Sequence, residues 1–416
     1  MIHHDSVVEQ AVRVLSDIIR DQEAEVYLVQ NIYGRLVIYL DTKNRSLVDT
    51  ATKRLSDELG SWFQSCNSYD VNLLIKNEIE LQKNTALQIQ DHIWLFEKFI
   101  TNIYWPGQHR KKMNSDKKPK LVSFYSYRGG VGRTTAMIMS AISLARRGKR
   151  VLLIDFDLES PGVAGFFPQE YLPKYGLLDF LVDHNVPQEK EDQFPISEYI
   201  YSVSDLCQVT SGGGEIFVMP VYGSVLKEHP ELYLKSLMRC DFDLPMYFGD
   251  QTTIDSLLLK ISEEHAPDII FIDAHSGISQ TGGIILSRYS DLATLFFCGD
   301  QQNNDGMKIV LPHLKKSVIP FVLVNEKVSS DSKIGKSRKD SFAKEAYEIL
   351  CTCDSEYRDG RVSLNDTSAE HFPLSISYNS SAEVLQNTDQ LLKAYENQNK
   401  EYQLVADTIW DAVSSK

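Results

Sequence analysis

Tyr127-Arg128-Gly129-Gly130-Val131-Gly132-Arg133-Thr134-Thr135 is the stretch on which the reading of this chain turns. The apolar run Leu121–Tyr125 precedes it and a segment with helical periodicity, Thr134–Arg147, follows it, so it joins a strand to a helix. Its three glycines allow a tight turn in which successive backbone N–H groups converge on one point. The N-terminus of the following helix adds partial positive charge at that point. Such a cradle suits a phosphate. A cation at Arg133 can neutralise terminal phosphates, and the Thr134 hydroxyl is placed to ligate Mg²⁺. A bare Gly-rich connection is the plainer alternative, but strand, loop, cation and the Thr-Thr pair agree against it.

Outward from the loop, apolar strands alternate with helix patterns. Strands are expected at Leu121–Tyr125, Val151–Ile154, Glu215–Met219, Ile269–Ile272, Ala293–Phe297 and Ile319–Val324, and helices at Thr134–Arg147 and Thr253–His265 among others. Most of these strands are continuous apolar runs, as strands covered on both faces require. The fold class expected is α/β, a mostly parallel, doubly wound sheet, with a small N-terminal α+β domain. Two strands run into acids: Val151-Leu152-Leu153-Ile154-Asp155-Phe156-Asp157 and Ile269-Ile270-Phe271-Ile272-Asp273. In open α/β sheets ligands bind at that edge. Acids there supply what Mg·nucleotide chemistry needs, one carboxylate orienting the metal's water and another positioning a hydrolytic water.

Residues 1–108 read as a separate accessory unit: a helix near Val7–Ile19, a hairpin of Glu25–Val29 and Leu36–Leu40 turning at Gly34, then a second helix from Leu47 to Trp62. Residues 109–120, HRKKMNSDKKPK, carry six Lys/Arg against one Asp and form a basic linker; residues 121–416 make the α/β domain, with two helices expected at Ser381–Gln398 and Glu401–Val413. The chain of 416 residues holds 43 Lys+Arg and 57 Asp+Glu, a net charge of −14, which disfavours a phosphate backbone as partner unless the linker provides it. No apolar run reaches the roughly 18–20 residues of a membrane helix, and MIHHDSVVEQ lacks the features of a signal peptide. The expected location is cytoplasmic, without a membrane. The six cysteines are scattered. Only Cys351 and Cys353 are close, where a shared strand face would permit a metal or redox role but two ordinary thiols are the simpler expectation.

These motifs resemble the ParA/MinD group of P-loop ATPases, whose deviant Walker A motif reads K-G-G-x-G-K-[ST]. The likeness spans about Lys120 to Asn325 and is nearest to a KGGVGR-type branch, whose E-x-P-G turn is matched by Glu159-Ser160-Pro161-Gly162. The stretch Asp273–Gly283, with Gly277 and Gly282-Gly283, is similar to that branch's Walker B extension. The resemblance implies ATP and Mg²⁺ as ligands. Nucleotide contacts would come from Arg128, Gly129, Gly130, Val131, Gly132, Arg133, Thr134 and Thr135, with Asn325 against adenine. Thr134, Asp155 and Asp273 would surround magnesium. The catalytic set would be Asp157, holding the attacking water, Arg133 in the place of the loop lysine, and Arg128, reaching across a nucleotide-sandwich homodimer. Both motif lysines are arginine here, and the wider, planar guanidinium bears on catalytic geometry more than on binding. His275 follows the second acid strand; a surface-turn histidine is the first expectation, with phosphate contact or pH sensing as the other. Asp407 and Asp411 set the last helix apart from a basic membrane-binding tail, so it should pack on the body or on a partner.

The function so implied is a slowly hydrolysing ATP switch that acts on partner proteins through residues 1–108 and the C-terminal helices. By analogy with the KGGVGR-type branch, its setting would be bacterial defence against phage. The alternatives are a non-hydrolysing nucleotide-binding scaffold within a multi-protein complex and a DNA-partitioning ATPase. A small-molecule or tyrosine kinase is a more distant reading, since no acceptor site is evident.

Overall fold

The computed structural model describes residues 6–20, 24–31, 34–68, 87–97, 119–183, 195–209, 213–240, 252–329, 331–382, 385 and 387–414. The chain divides into two compact units, residues 1–102 and 103–416. The expected linker at 109–120 falls outside the described residues up to position 118.

The first unit is α+β. Helix α1, Val7–Ile19, buries Val7, Ala11, Val14, Leu15 and Ile19, a spacing of three and four that makes one apolar stripe. Helix α2, Arg45–Leu59, begins where the Asn44 side chain accepts the Leu47 N–H, and it buries Leu47, Ala51, Leu55 and Leu59. Strands β1 (Val26–Gln30) and β2 (Leu36–Leu40) form the expected antiparallel hairpin. With β3 (Phe63–Ser68), β4 (Leu87–Gln90) and β5 (Ile93–Glu97) they make a sheet of order β3-β2-β1-β5-β4. Strand β5 pairs parallel to β1, although its sequence shows no clear period. Alternate side chains Val26, Leu28, Ile38, Leu40, Ile93 and Leu95 join the helices' apolar residues in one core.

The second unit is built on eight strands: β6 (Lys120–Ser126), β7 (Arg150–Phe156), β8 (Tyr201–Ser202), β9 (Glu215–Met219), β10 (Ile269–Ala274), β11 (Leu292–Phe297), β12 (Phe321–Val328) and β13 (Leu374–Ser377). Their order is β13-β12-β11-β6-β10-β7-β9-β8, and every pairing is parallel except β8 with β9. The sheet is covered on both faces. Val122 and Phe124 of β6 point to a core with α3 (Arg133–Ala145) and α7 (Thr388–Ser414). Leu121 and Tyr125 point the other way, to α4 (Thr253–Glu264), α5 (Gln301–Lys316) and α6 (Ser332–Cys353). Two-sided burial is the reason that β10 and β11 bury all their residues and read as unbroken apolar runs.

The two expected terminal helices meet at a kink within α7: the first begins at Thr388 rather than Ser381, and non-helical dihedral angles at Gln398, whose side chain donates to the Ser377 carbonyl at 2.7 Å and accepts from Asn379, separate it from the second. Two further points differ from the sequence reading. Helix α6 falls in a stretch whose polarity hides it: its buried apolar side chains begin only at Phe342, Ile334 being exposed, and its start is the Asp331 side chain accepting from Lys333 and Ile334 N–H groups. Cys351 and Cys353 lie on that helix, not on a strand. Two positions on a helix diverge by roughly 200°, and the thiols contact separate carbonyls, those of Tyr357 and Ile349. The last helix does pack on the body. Tyr395 meets Ser143 at 3.1 Å, Glu396 pairs with Arg146 at 2.6 Å, Asp407 pairs with Arg147, and Lys149 lies 4.1 Å over the Trp410 ring.

Candidate nucleotide site at the carboxyl edge of the sheet

Strand β6 has β10 on one side and β11 on the other, and β7 lies beyond β10. The loop after β6 therefore opens beside the ends of β10 and β7, where Asp273 and Asp155 are register partners. This is a point where connections leave a sheet in opposite directions and open a crevice. The loop is made by left-handed glycines, Gly130 at φ +74° and Gly132 at φ +98°. The left-handed backbone demands glycine at 132, and a β-carbon there would also press on the Glu326 carboxyl at 3.3 Å.

Arg133 opens α3 and turns its guanidinium under the loop, where only 8% of the residue is exposed. Its Nη2 donates to Asp157 at 3.0 Å and its Nε makes an ion-pair contact with Asp273 at 2.5 Å. The Thr134 hydroxyl donates to the other Asp273 oxygen at 2.6 Å. Asp155 uses both oxygens on backbone: one accepts from Asp157 N–H at 3.2 Å, the other from Gly162 and Val163 N–H at 3.0 Å each. It thus anchors the turn 157–163 beneath Thr134. Burial and the nearby Asp273 push its carboxyl up to about 8, against the pull of those N–H donors. Burial also raises Asp273, with Arg133 opposing. Burial would raise Asp157 too, but hydrogen bonds from His275 and Arg133 outweigh it and hold that carboxylate below its usual range.

His275 is not a surface-turn histidine. Its Nδ1–H donates to Asp157 at 2.6 Å, its Nε2 faces Glu159 at 3.6 Å, and its side chain is 18% exposed. The Asp157 hydrogen bond raises its pKa, with burial opposing. Arg128 is exposed on the rim, 3.6 Å from Asp300. Thr135 and Glu326 line a cavity of about 200 Å³ with Tyr378, Gln398 and Tyr402. Another of about 430 Å³ is lined by Arg128, Gly129, Gly130, Val131, Asn325 and Glu326. Glu326 is the site residue that sequence reasoning missed. It directly follows Asn325 at the end of an apolar run, and the only signal for it was an acid in that place. Burial pushes its carboxyl up to about 8, while its neighbour Lys327 turns its ammonium to the Gly130 carbonyl at 2.7 Å.

These residues fit a magnesium-bound nucleotide. Two buried donors, Arg133 Nη1 and Asn325 Nδ2, have no hydrogen-bond partner in the structure, and both stand beside the glycine cradle. Among the described residues no group of three His, Cys, Asp or Glu side chains could hold a metal unaided. Magnesium would thus rely on Thr134 and Asp273 together with phosphate oxygens and water, as is usual for that ion. Among the described residues, too, no helix is long and apolar enough to cross a membrane.

An iron-sulfur cluster carrier protein of Bacillus subtilis (strain 168) is 40% identical to this chain over 63 residues, which are 15% of this chain and 18% of that protein. The chain thus matches less than a fifth of that relative's length. Among solved structures, a ParA family ATPase from Chlorobium tepidum TLS aligns over 70% of this chain and 98% of its own, at 12% identity and a TM-score of 0.45. A Cyanothece McdA variant in complex with ATP aligns over 72% and 97%, at 12% identity and 0.44. The pNOB8 ParA bound to nonspecific DNA aligns over 71% and 99%, at 18% identity and 0.42. The second unit has a doubly wound, mostly parallel α/β fold, and its residues 119–201, which carry the loop, β7 and the turn after it, match the family described as AAA domain.

Proposed function

We propose that this chain is an ATP-dependent molecular switch. Two copies would join face to face over Mg·ATP, and slow hydrolysis would release them. The observation that carries this reading is the meeting, at one sheet edge, of the left-handed glycine loop, the buried Arg133, and the acids Asp157 and Asp273. In this arrangement Arg133 contacts both acids and keeps Nη1 free for a phosphate oxygen. Thr134 and Asp273 would hold the metal, Asp157 a water, and Asn325 the adenine. The bound nucleotide supplies the γ-phosphate, whose presence or loss distinguishes the two states of the switch. Arg128 supports the dimer, since an exposed guanidinium with one long ion pair can leave Asp300 for a partner's phosphates. Because α7 is packed on the body, residues 1–108 are the better candidate for reading the switch out to a partner protein, in the anti-phage setting that the resemblance implies.

One observation favours a second reading, a scaffold that binds nucleotide without turnover: Arg133 already occupies both acids on which hydrolysis would depend. Light scattering with and without ATP·Mg²⁺, paired with phosphate release, separates the two. Wild type should gain mass with ATP and release phosphate. Arg128→Ala should stay monomeric, and Asp157→Ala should dimerise but release at least tenfold less phosphate. Equal phosphate release by wild type and Asp157→Ala would leave the scaffold standing, and normal dimerisation of Arg128→Ala would remove the cross-subunit role.

A further inference from the structure

We propose that His275 is a positioning residue, whose imidazole locks the Asp157 carboxylate in the orientation from which it can hold a water. The inference rests on the hydrolytic reading above and adds a residue to it. Asp157 lies just past the end of β7 on the turn 157–163, whose backbone Asp155 ties to β7 through the Asp157, Gly162 and Val163 N–H groups, so what remains to be fixed is the Asp157 side chain. One of its oxygens is held by Arg133 Nη2 at 3.0 Å. The other accepts from His275 Nδ1–H at 2.6 Å and from Ser160 N–H at 3.2 Å. Without the imidazole that oxygen keeps only the longer bond, which comes from its own turn and moves with it. His275 directly follows β10, so its bond ties the Asp157 carboxylate to a second strand, independent of the turn's own anchor on β7. Arg133 alone fixes one oxygen and leaves rotation about the carboxylate free; a second strong donor on the other oxygen removes it.

The surroundings separate this role from simple core packing. A packing histidine is enclosed by apolar groups, whereas His275 faces Asp157 on one nitrogen and Glu159, 3.6 Å away, on the other. It is partly open to solvent at the rim of the site. A misplacement of about 1 Å in a group that orients a reactant can cost roughly 100-fold in rate.

The test uses the full chain with His275→Ala and with His275→Asn, whose amide N–H can donate to the same Asp157 oxygen. Amide hydrogen exchange of residues 157–163 without nucleotide reads the positioning itself. Phosphate release from Mg·ATP, resolved into kcat and KM, reads its consequence. His275→Ala should speed exchange in 157–163 by about tenfold or more and lower kcat roughly 10–100-fold with KM within about threefold. His275→Asn should return both to within about fivefold of wild type. Should the alanine variant fail to fold, His275→Phe keeps a ring without the donor and takes its place in the comparison. Unchanged exchange in the variants lacking the donor overturns the proposal, as does a kcat that does not fall or an asparagine variant no better than alanine. Absence of phosphate release from wild type would sink the hydrolytic reading instead, and the exchange measurement would still decide whether His275 holds Asp157.

Discussion

Glu326 presses its carboxyl against Gly132 and forms a wall of both cavities beside the loop. Burial raises it from an ordinary value near 4.5 to about 8, so the folded protein holds this proton more tightly than the unfolded chain does. A raised folded-state pKa means that stability is full below pH ~4.5 and declines as pH climbs through ~8. Glu326→Gln keeps the shape and removes the ionisation. Thermal unfolding should show the variant close to wild type at pH 5 and more stable at pH 8.5 by on the order of 2–4 kcal/mol. A variant less stable than wild type at pH 8.5 would mean that the carboxylate is compensated when charged. Arg133 presents the opposite situation, a buried cation whose two acids keep it charged. The loop thus carries a neutralised cation on one side and an acid held protonated on the other, and neither opposes the approach of an anion.

Helix α7 owes its place to packing, not to its ends. Its buried residues Leu391, Tyr395, Tyr402, Ala406, Ile409 and Val413 form one stripe against α3 and the sheet. The kink at Gln398 keeps that stripe in register across two helical halves by giving the side chain to Ser377 and Asn379. Because Ile409 is fully buried, Ile409→Ala should lower unfolding free energy by about 2–5 kcal/mol in chemical denaturation. Leu404→Ala, at a site 53% exposed on the same helix, should cost less than about 0.5 kcal/mol. Similar costs at both positions would contradict the docked face. Helix α6 teaches the reverse lesson about legibility. Its N-terminal half is polar, so its existence follows from the Asp331 cap and the late apolar positions rather than from any sustained period.

Over the whole molecule, the net charge of −14 sets the expected response to nucleic acid. A gel shift at about 50 mM salt should show no ATP-stimulated retardation of DNA by the full chain. Retardation that grows with ATP and disappears when the lysines and arginines of 109–120 are replaced would favour the partitioning reading. Much of the α/β unit is legible in the sequence: continuous apolar runs become strands buried on both faces, and the Gly-rich turn between strand and helix becomes a loop with left-handed glycines, because both outcomes depend on short-range sterics and side-chain period. Strand β5 escaped that reading, since its partner β1 lies some sixty residues earlier and pairing across that distance leaves no local trace. The grouping of Arg133, Asp157, Asp273, His275 and Glu326 was settled only by the tertiary structure. That acids stand at the ends of two strands, beside a glycine-rich loop between strand and helix, was fixed by local sequence, for strand and loop formation are local. Which acid pairs with the arginine, which anchors a turn and which histidine holds a carboxylate depends on the order of strands in the sheet, and that order is a property of the folded whole.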